Sequence, residues 1–128
     1  MIYRLEETIS SNTPQTAPEV FKLAVTKGVI TNVWVFFPWG CANLVGVQIW
    51  YEGFQLWPIS KGEWLRGNDI LFHFEDPYKV ETEPTFLRIK AYNEDDTYDH
   101  TPWVMLEVVK QEEIPAIERF LQTLKGLG

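Results

Sequence analysis

One cysteine, two methionines and two histidines are all that this 128-residue chain carries of the side chains most used for disulfides, soft metals and proton transfer. With Cys41 alone, an intrachain disulfide is excluded, and stability has to come from packing. A thiol nucleophile needs a base beside it, and sequence position puts neither His73 nor His100 there, so Cys41 reads as a small, inert residue in a tight connection. No Ser-His-Asp pattern, glycine-rich phosphate loop or Cys/His zinc spacing occurs. Positive charge is scarce as well: eleven Lys and Arg face eighteen Asp and Glu, a formal net charge of -7. Lys22, Lys27, Lys61, Arg66, Lys79, Arg88 and Lys90 are scattered without a run, which disfavours nucleic acid and anionic membranes as partners. No stretch approaches the roughly eighteen apolar residues of a membrane span. The opening MIYRLEETIS has acids where a signal peptide needs an apolar core, and we expect no export by the standard route.

What is abundant is hydrophobic and aromatic surface, 45% and 15% of the residues, with six Trp. Disorder is therefore excluded, and the length suits one compact domain. The uncharged heart of the chain is GVITNVWVFFPWGCANLVGVQIWYEGFQLWP, residues 28–58, which Pro38-Trp39-Gly40 and Glu52-Gly53 cut into pieces of strand length. Alternation in residues 2–9 and 20–26 predicts strands, with Phe21, Leu23 and Val25 on one face of the second. In the third, Val29, Thr31, Val33, Val35 and Phe37 are expected inward. In the fourth, Val45, Val47, Ile49 and Tyr51 oppose Leu44, Gly46, Gln48 and Trp50. Ile70, Phe72 and Phe74, then Leu87, Ile89 and Ala91, then Val104, Leu106 and Val108 mark three later strands. Seven to nine short strands without intervening helices predict an all-β fold, an antiparallel β-sandwich of jelly-roll-like or Greek-key topology, over residues 1–111.

Two connections stand out. SSNTPQTAP, residues 10–18, is read as a loop across the end of the sandwich or as an arm laid along a neighbour. The period changes at residues 112–128. Ile114, Ile117, Leu121 and Leu124, flanked by Phe120, recur at three-four spacing behind Glu112, Glu113 and Pro115, which predicts a C-terminal amphipathic α-helix used for docking or oligomerisation.

An antiparallel sheet with one wet face should alternate apolar and polar residues, and the central strands do not. Something has to cover their second face: a connecting loop of the same chain, the C-terminal helix, a ligand or another subunit. The expected interface set is Trp34, Phe36, Trp50 and Trp57 together with Ile114, Ile117, Phe120, Leu121 and Leu124, since Trp and Tyr anchor subunit contacts. The partners would be copies of the chain and a capsid or shell protein. Competing readings make the tryptophans ordinary core, or a platform for stacking sugars as in a carbohydrate-binding module. The loop Asn93 to His100 packs four carboxylates into eight residues, and Asp95, Asp96 and Asp99 are the ligands it would offer calcium. It lacks the ligand spacing of a helix-loop-helix calcium site, and solvated turn acids are the simpler account; no cofactor is otherwise implied. A small hydrolase built on these acids and His100 ranks last.

Three segments carry a resemblance: Phe37-Pro38-Trp39-Gly40 between two hydrophobic strands, Gln55-Leu56-Trp57-Pro58, and Asn93-Glu94-Asp95-Asp96-Thr97-Tyr98-Asp99-His100. Over residues 28–108 the chain resembles a group of small virion-associated proteins of tailed bacteriophages and prophages. That resemblance implies a non-enzymatic structural role, such as capsid decoration, cement or connector protein, located in the virion or in the host cytoplasm during assembly. It brings no catalytic residues.

Overall fold

A computed structural model describes residues 1–81 and 85–110. The predicted C-terminal helix, with Ile114, Ile117, Phe120, Leu121 and Leu124, lies outside the described residues. Ten strands form: β1 (Ile2–Glu6), β2 (Glu19–Val25), β3 (Gly28–Phe37), β4 (Val45–Tyr51), β5 (Phe54–Trp57), β6 (Leu65–Arg66), β7 (Ile70–Phe74), β8 (Tyr78–Val80), β9 (Thr85–Asn93) and β10 (Trp103–Lys110). Every pairing between them is antiparallel. Among the described residues no helix is long and apolar enough to cross a membrane.

The strands make two sheets. The first runs β1-β10-β3-β7, with β8 continuing the β7 side of β3; the second runs β2-β9-β4-β5, with β6 also on β4. β4 with β5, β3 with β7, β2 with β9 and β1 with β10 are each hydrogen-bonded partners, so the chain is one long hairpin bent at Glu52-Gly53 and rolled up. Rolling brings β10 against β3 and β9 against β4, which joins the two halves of each sheet. Between the sheets lies one core, to which Val33, Val35, Phe37, Val104, Leu106 and Val108 come from the first and Val45, Val47, Ile49, Leu87, Ile89 and Ala91 from the second. Tyr78 of β8 meets Tyr51 and Trp57 of the second sheet edge-on, at 5.5 and 6.5 Å.

The alternation expected for β2, β9 and β10 holds in the burial of their residues, as far as Ala91 in β9, whereas in β4 the inward set Val45, Val47, Ile49 and Tyr51 is buried and so are Gly46 and Gln48. Two bulges break it elsewhere. Glu107 pairs with Asn32 while Val108 pairs with Ile30, so Thr31 is an extra residue on β3. The inward phase flips there: Ile30 is buried, and Val29 and Thr31, expected inside, are half-buried. In β5, Gln55 pairs with Trp50 and Trp57 with Ile49, which leaves Leu56 as the extra residue. Trp57 thereby falls in phase with Ile49 and Tyr51 and is 4% exposed. It is core, and its assignment to the interface is corrected by that bulge.

Cys41, between β3 and β4, is buried, and desolvation pushes its thiol up to about 11, which fits the inert reading.

Candidate functional site

Three surfaces are built by this fold. The outer face of the first sheet carries Trp34 and Phe36, because β3 points Val33, Val35 and Phe37 inward. The register aligns Glu6, Trp103, Phe36 and Leu71 in one row across four strands, and Arg4, Met105, Trp34 and His73 in the next. Within the rows, Phe36 stacks on Trp103 at 5.3 Å and Trp34 on His73 at 5.0 Å. The Arg4 guanidinium lies 5.4 Å over the Trp103 ring. A polar chain borders this patch: His73 Nε2 donates to Asn32 Oδ1 (2.8 Å), Asn32 Nδ2 to Glu107 Oε1 (3.0 Å), and Thr31 Oγ1 to the same oxygen (2.6 Å). Those two bonds from Thr31 and Asn32 hold the Glu107 carboxyl below its usual pKa. None of Trp34, Phe36, Leu71, Trp103 and Met105 is fully buried; Leu71 is exposed and the others are half-covered.

The outer face of the second sheet is handled differently, by the chain itself. The segment from Pro58 to Trp64 folds back over β4, where Gln48 Nε2 donates to the Glu63 carbonyl (2.8 Å) and Trp64 meets Tyr92 edge-on at 4.7 Å. Gln55 ties the segment down, donating to the carbonyls of Pro58 (2.6 Å), Ser60 (3.1 Å) and Glu63 (3.1 Å) and accepting from Gly62 N (3.0 Å). Gln48 and Gly46, the supposed second face of β4, are buried beneath it. Trp50 stays half-exposed at its margin, its Nε1 donating to Gln48 Oε1 at 2.9 Å.

The third surface is the end of the molecule where the loop after β9 meets the connector after β1. Residues 10–18 are not an arm. They are pinned to their own chain by Ile9 N to His100 O (2.8 Å), Asn12 N to Asp95 O (2.9 Å) and Thr13 N to Asn93 O (2.8 Å), with the return bonds from His100 N and Asn93 N. Asn93, wholly buried, is the centre of this clasp: its amide donates to the carbonyls of Ile9 and Tyr98 (both 3.0 Å), and its oxygen accepts from Asp95 N (3.0 Å).

The three acids proposed as calcium ligands are divided among separate tasks. Asp95 accepts from the backbone N–H groups of Thr97 (2.9 Å) and Tyr98 (3.2 Å) through one oxygen and from His100 Nε2 (2.8 Å) through the other. Asp96 accepts from Thr97 Oγ1 (2.8 Å), and Asp99 from Ser11 N (2.9 Å). Among the described residues no group of three or more His, Cys, Asp or Glu comes together as a metal cage. Beside this loop an open hollow of about 560 Å³ is lined by Trp39, Gly40, Tyr98, Asp99 and His100. Trp39 and Tyr98 are 81% and 67% exposed. The turn that presents Trp39 is fixed by Asn68 Oδ1, which accepts from Gly40 N (2.8 Å) and Ala42 N (2.9 Å). Sequence reasoning missed this pairing, since Trp39 and Tyr98 are 59 positions apart and each looks like an ordinary turn residue.

No protein-family model and no curated protein matches this chain. Function has to be argued from the surfaces themselves.

Asp95 makes one pH dependence explicit. The His100 hydrogen bond first, and the Thr97 and Tyr98 amides after it, hold its carboxyl below the usual value. A folded-state pKa lower than the unfolded one gives stabilisation that is complete above about pH 4 and is lost as pH falls through the folded value. The melting temperature is expected to drop on the acid side of about pH 4, and Asp95→Asn should lower it at neutral pH while flattening that drop. Calorimetric melting of both proteins between about pH 2 and 7 checks this; parallel curves would contradict it.

Proposed function

We propose that the protein is a non-enzymatic structural subunit that associates with copies of itself through the outer face of the first sheet. The observation that carries the reading is the double row of Trp103, Phe36, Leu71, Met105 and Trp34, an aromatic patch on the flat outside of a sheet that no described segment covers. Patches of this kind on a free monomer are aggregation liabilities, and flat aromatic rows are well suited to meeting a second copy across a two-fold axis. The strand order supports a jelly roll, an architecture used in capsid shells. Together with the resemblance to tailed-phage virion proteins, it favours a decoration, cement or connector role on a shell. The outer face of the second sheet is partly occupied by the chain's own Pro58–Trp64 segment.

Light scattering on the full chain tests the association. Oligomers of the 15.0 kDa chain are expected at micromolar concentration, and Phe36→Glu should return them to monomers with the melting temperature little changed. A wild-type monomer at millimolar concentration would overturn the reading. Phe36 is suited to the test because it is half-exposed on the outer face, so a charge there reaches water in the monomer and is stranded in the interface.

A second reading, saccharide binding, is favoured by one observation: the exposed rings of Trp39 and Tyr98 line the end hollow together with Asp99. Aromatic faces stack on sugar rings and a carboxylate accepts hydroxyl hydrogen bonds. The platform would then be this pair. Glycan-array binding lost on Trp39→Ala would support it, and binding unaffected by Trp39→Ala would remove it.

A further inference from the structure

Lys22, Arg88 and Lys90 are far apart or unremarkable in the sequence, yet the register of the second sheet gathers them. Lys22 of β2 sits directly opposite Arg88 of β9, Arg88 directly opposite Trp50 of β4, and Lys90 opposite Gln48. Alternation turns all three cations outward, away from Phe21, Leu87, Ile89 and Ala91. The backbone positions of Arg88 and Lys90 are about 6.6 Å apart along the strand and that of Lys22 about 5 Å from Arg88 across it, so the three side chains spring from one compact triangle of the sheet.

Two features of that triangle call for an explanation. Like charges directly opposite one another destabilise a sheet. The chain has acids to spare, with a net charge of -7, yet no described carboxylate forms an ion pair with Lys22, Arg88 or Lys90. Instead the cations rest on rings. Lys90 Nζ lies 3.9 Å from the centre of the Trp50 ring and Lys22 Nζ 6.0 Å from that of Phe86. Next to Trp50 a hollow of about 290 Å³ is lined by Phe54, Gln55, Ile59 and Lys61, with Phe54 67% and Ile59 85% exposed.

We propose that this face is a docking surface for a carboxylate-rich segment of a partner polypeptide. Its acidic side chains are taken by Lys22, Arg88 and Lys90, and a neighbouring bulky apolar side chain enters the hollow beside Trp50. Charge complementarity selects the occupant: the patch is the opposite sign to the molecule around it, so an acidic ligand is drawn to this place and repelled elsewhere. Nucleic acid fits less well, because three cations in one triangle do not make a track along a phosphate backbone, and the remaining surface repels it. The surface is distinct from the aromatic face of the first sheet, so the proposal stands or falls separately from self-association.

The test is fluorescence anisotropy on the full chain with a labelled twelve-residue peptide of Glu and Asp containing two Leu, at low salt. Controls are the same peptide with Gln and Asn for the acids, and a twelve-nucleotide single strand of thymidines. The acidic peptide is expected to bind, to weaken as salt rises, and to lose about tenfold or more in affinity on Arg88→Gln with Lys90→Gln. Lys79→Gln, on the first sheet, should leave it unchanged. Both changes replace exposed or half-exposed cations, and an unaltered melting temperature shows that the fold survives them. The proposal is overturned by no binding, by equal binding of the Gln and Asn peptide, by stronger binding of the oligonucleotide, or by indifference to the double substitution.

Discussion

Replacing Asn93 by alanine should cost about 3 kcal/mol of stability, the largest loss expected from a single side chain that touches no ligand. Asn93 is 0% exposed and joins three separate pieces of backbone at the end of the molecule. Its loss is not evenly felt. The Ile9 carbonyl keeps a second donor in His100 N (3.1 Å), but the Tyr98 carbonyl and the Asp95 N–H lose the Asn93 partner in a place water reaches poorly. A buried polar group left unpaired costs about 1–3 kcal/mol, and the void left by the missing amide adds to this. The melting temperature should fall by roughly 10–15 °C for a domain of this size. Asn93→Asp should be worse still above about pH 4, because a carboxylate would face the Ile9 and Tyr98 carbonyl oxygens that the amide now serves. Burial among acceptors raises the pKa of that new acid in the folded state, so its deficit should deepen as pH rises through the ordinary carboxylate value. Urea denaturation at about pH 3 and pH 7 separates the two variants; an Asn93→Ala protein within about 1 kcal/mol of wild type would show that the clasp does not hold the end loops.

Gly46→Ala is expected to destabilise by about 3 kcal/mol through overpacking. A Cβ on Gly46 would stand 2.1 Å from Cε1, 2.6 Å from Cζ and 2.9 Å from Cδ1 of the Tyr92 ring. Tyr92 is directly opposite Gly46 in the register, 0% exposed, and covered by Trp64. The ring therefore cannot swing into solvent without lifting the Pro58–Trp64 segment that Gln48 and Gln55 tie down. Only a glycine lets β4 pass beneath that ring. The diagnostic is non-additivity: shrinking Tyr92 to Leu should cost stability in the wild type and recover part of it in the Gly46→Ala background, a coupling of at least about 1 kcal/mol in a double-mutant cycle. Additive losses would mean that the strand, not the ring, resists the methyl group. Tyr92→Phe isolates a different feature, because among the described residues its buried hydroxyl has no partner with full hydrogen-bond geometry, Gln15 being in looser polar contact, and that change is expected to be close to neutral.

The end clasp and the covered Tyr92 share an origin. Both use polar or small residues at positions where a single strand pattern predicts nothing, and both exist because segments distant in sequence close over one another. Asn93 reads in sequence as one more turn residue of an acidic loop. Its role becomes visible only with Ile9 and Thr13 brought alongside by the β1–β2 connector. Asp95 and His100 read in sequence as turn residues, with a calcium ligand and a base as the sharper alternatives, and they are bonded to each other at 2.8 Å within a turn.

The sequence alone determined the all-β class, the positions of the longer strands, and the inward faces of β2, β4, β9 and β10, because alternation is a local property of one strand against one core. It also determined that the central strands carry more apolar surface than one face can use. Tertiary structure decided the rest. The bulges at Thr31 and Leu56 reversed the phase of β3 and sent Trp57 inward, since a bulge is a mismatch between two strands and neither reveals it by itself. Which outer face is covered was decided by a loop folding back across β4, and which cations stand together was decided by the pairing of β2, β9 and β4. Burial and charge clustering are sums over neighbours, and in a rolled hairpin those neighbours come from opposite ends of the chain.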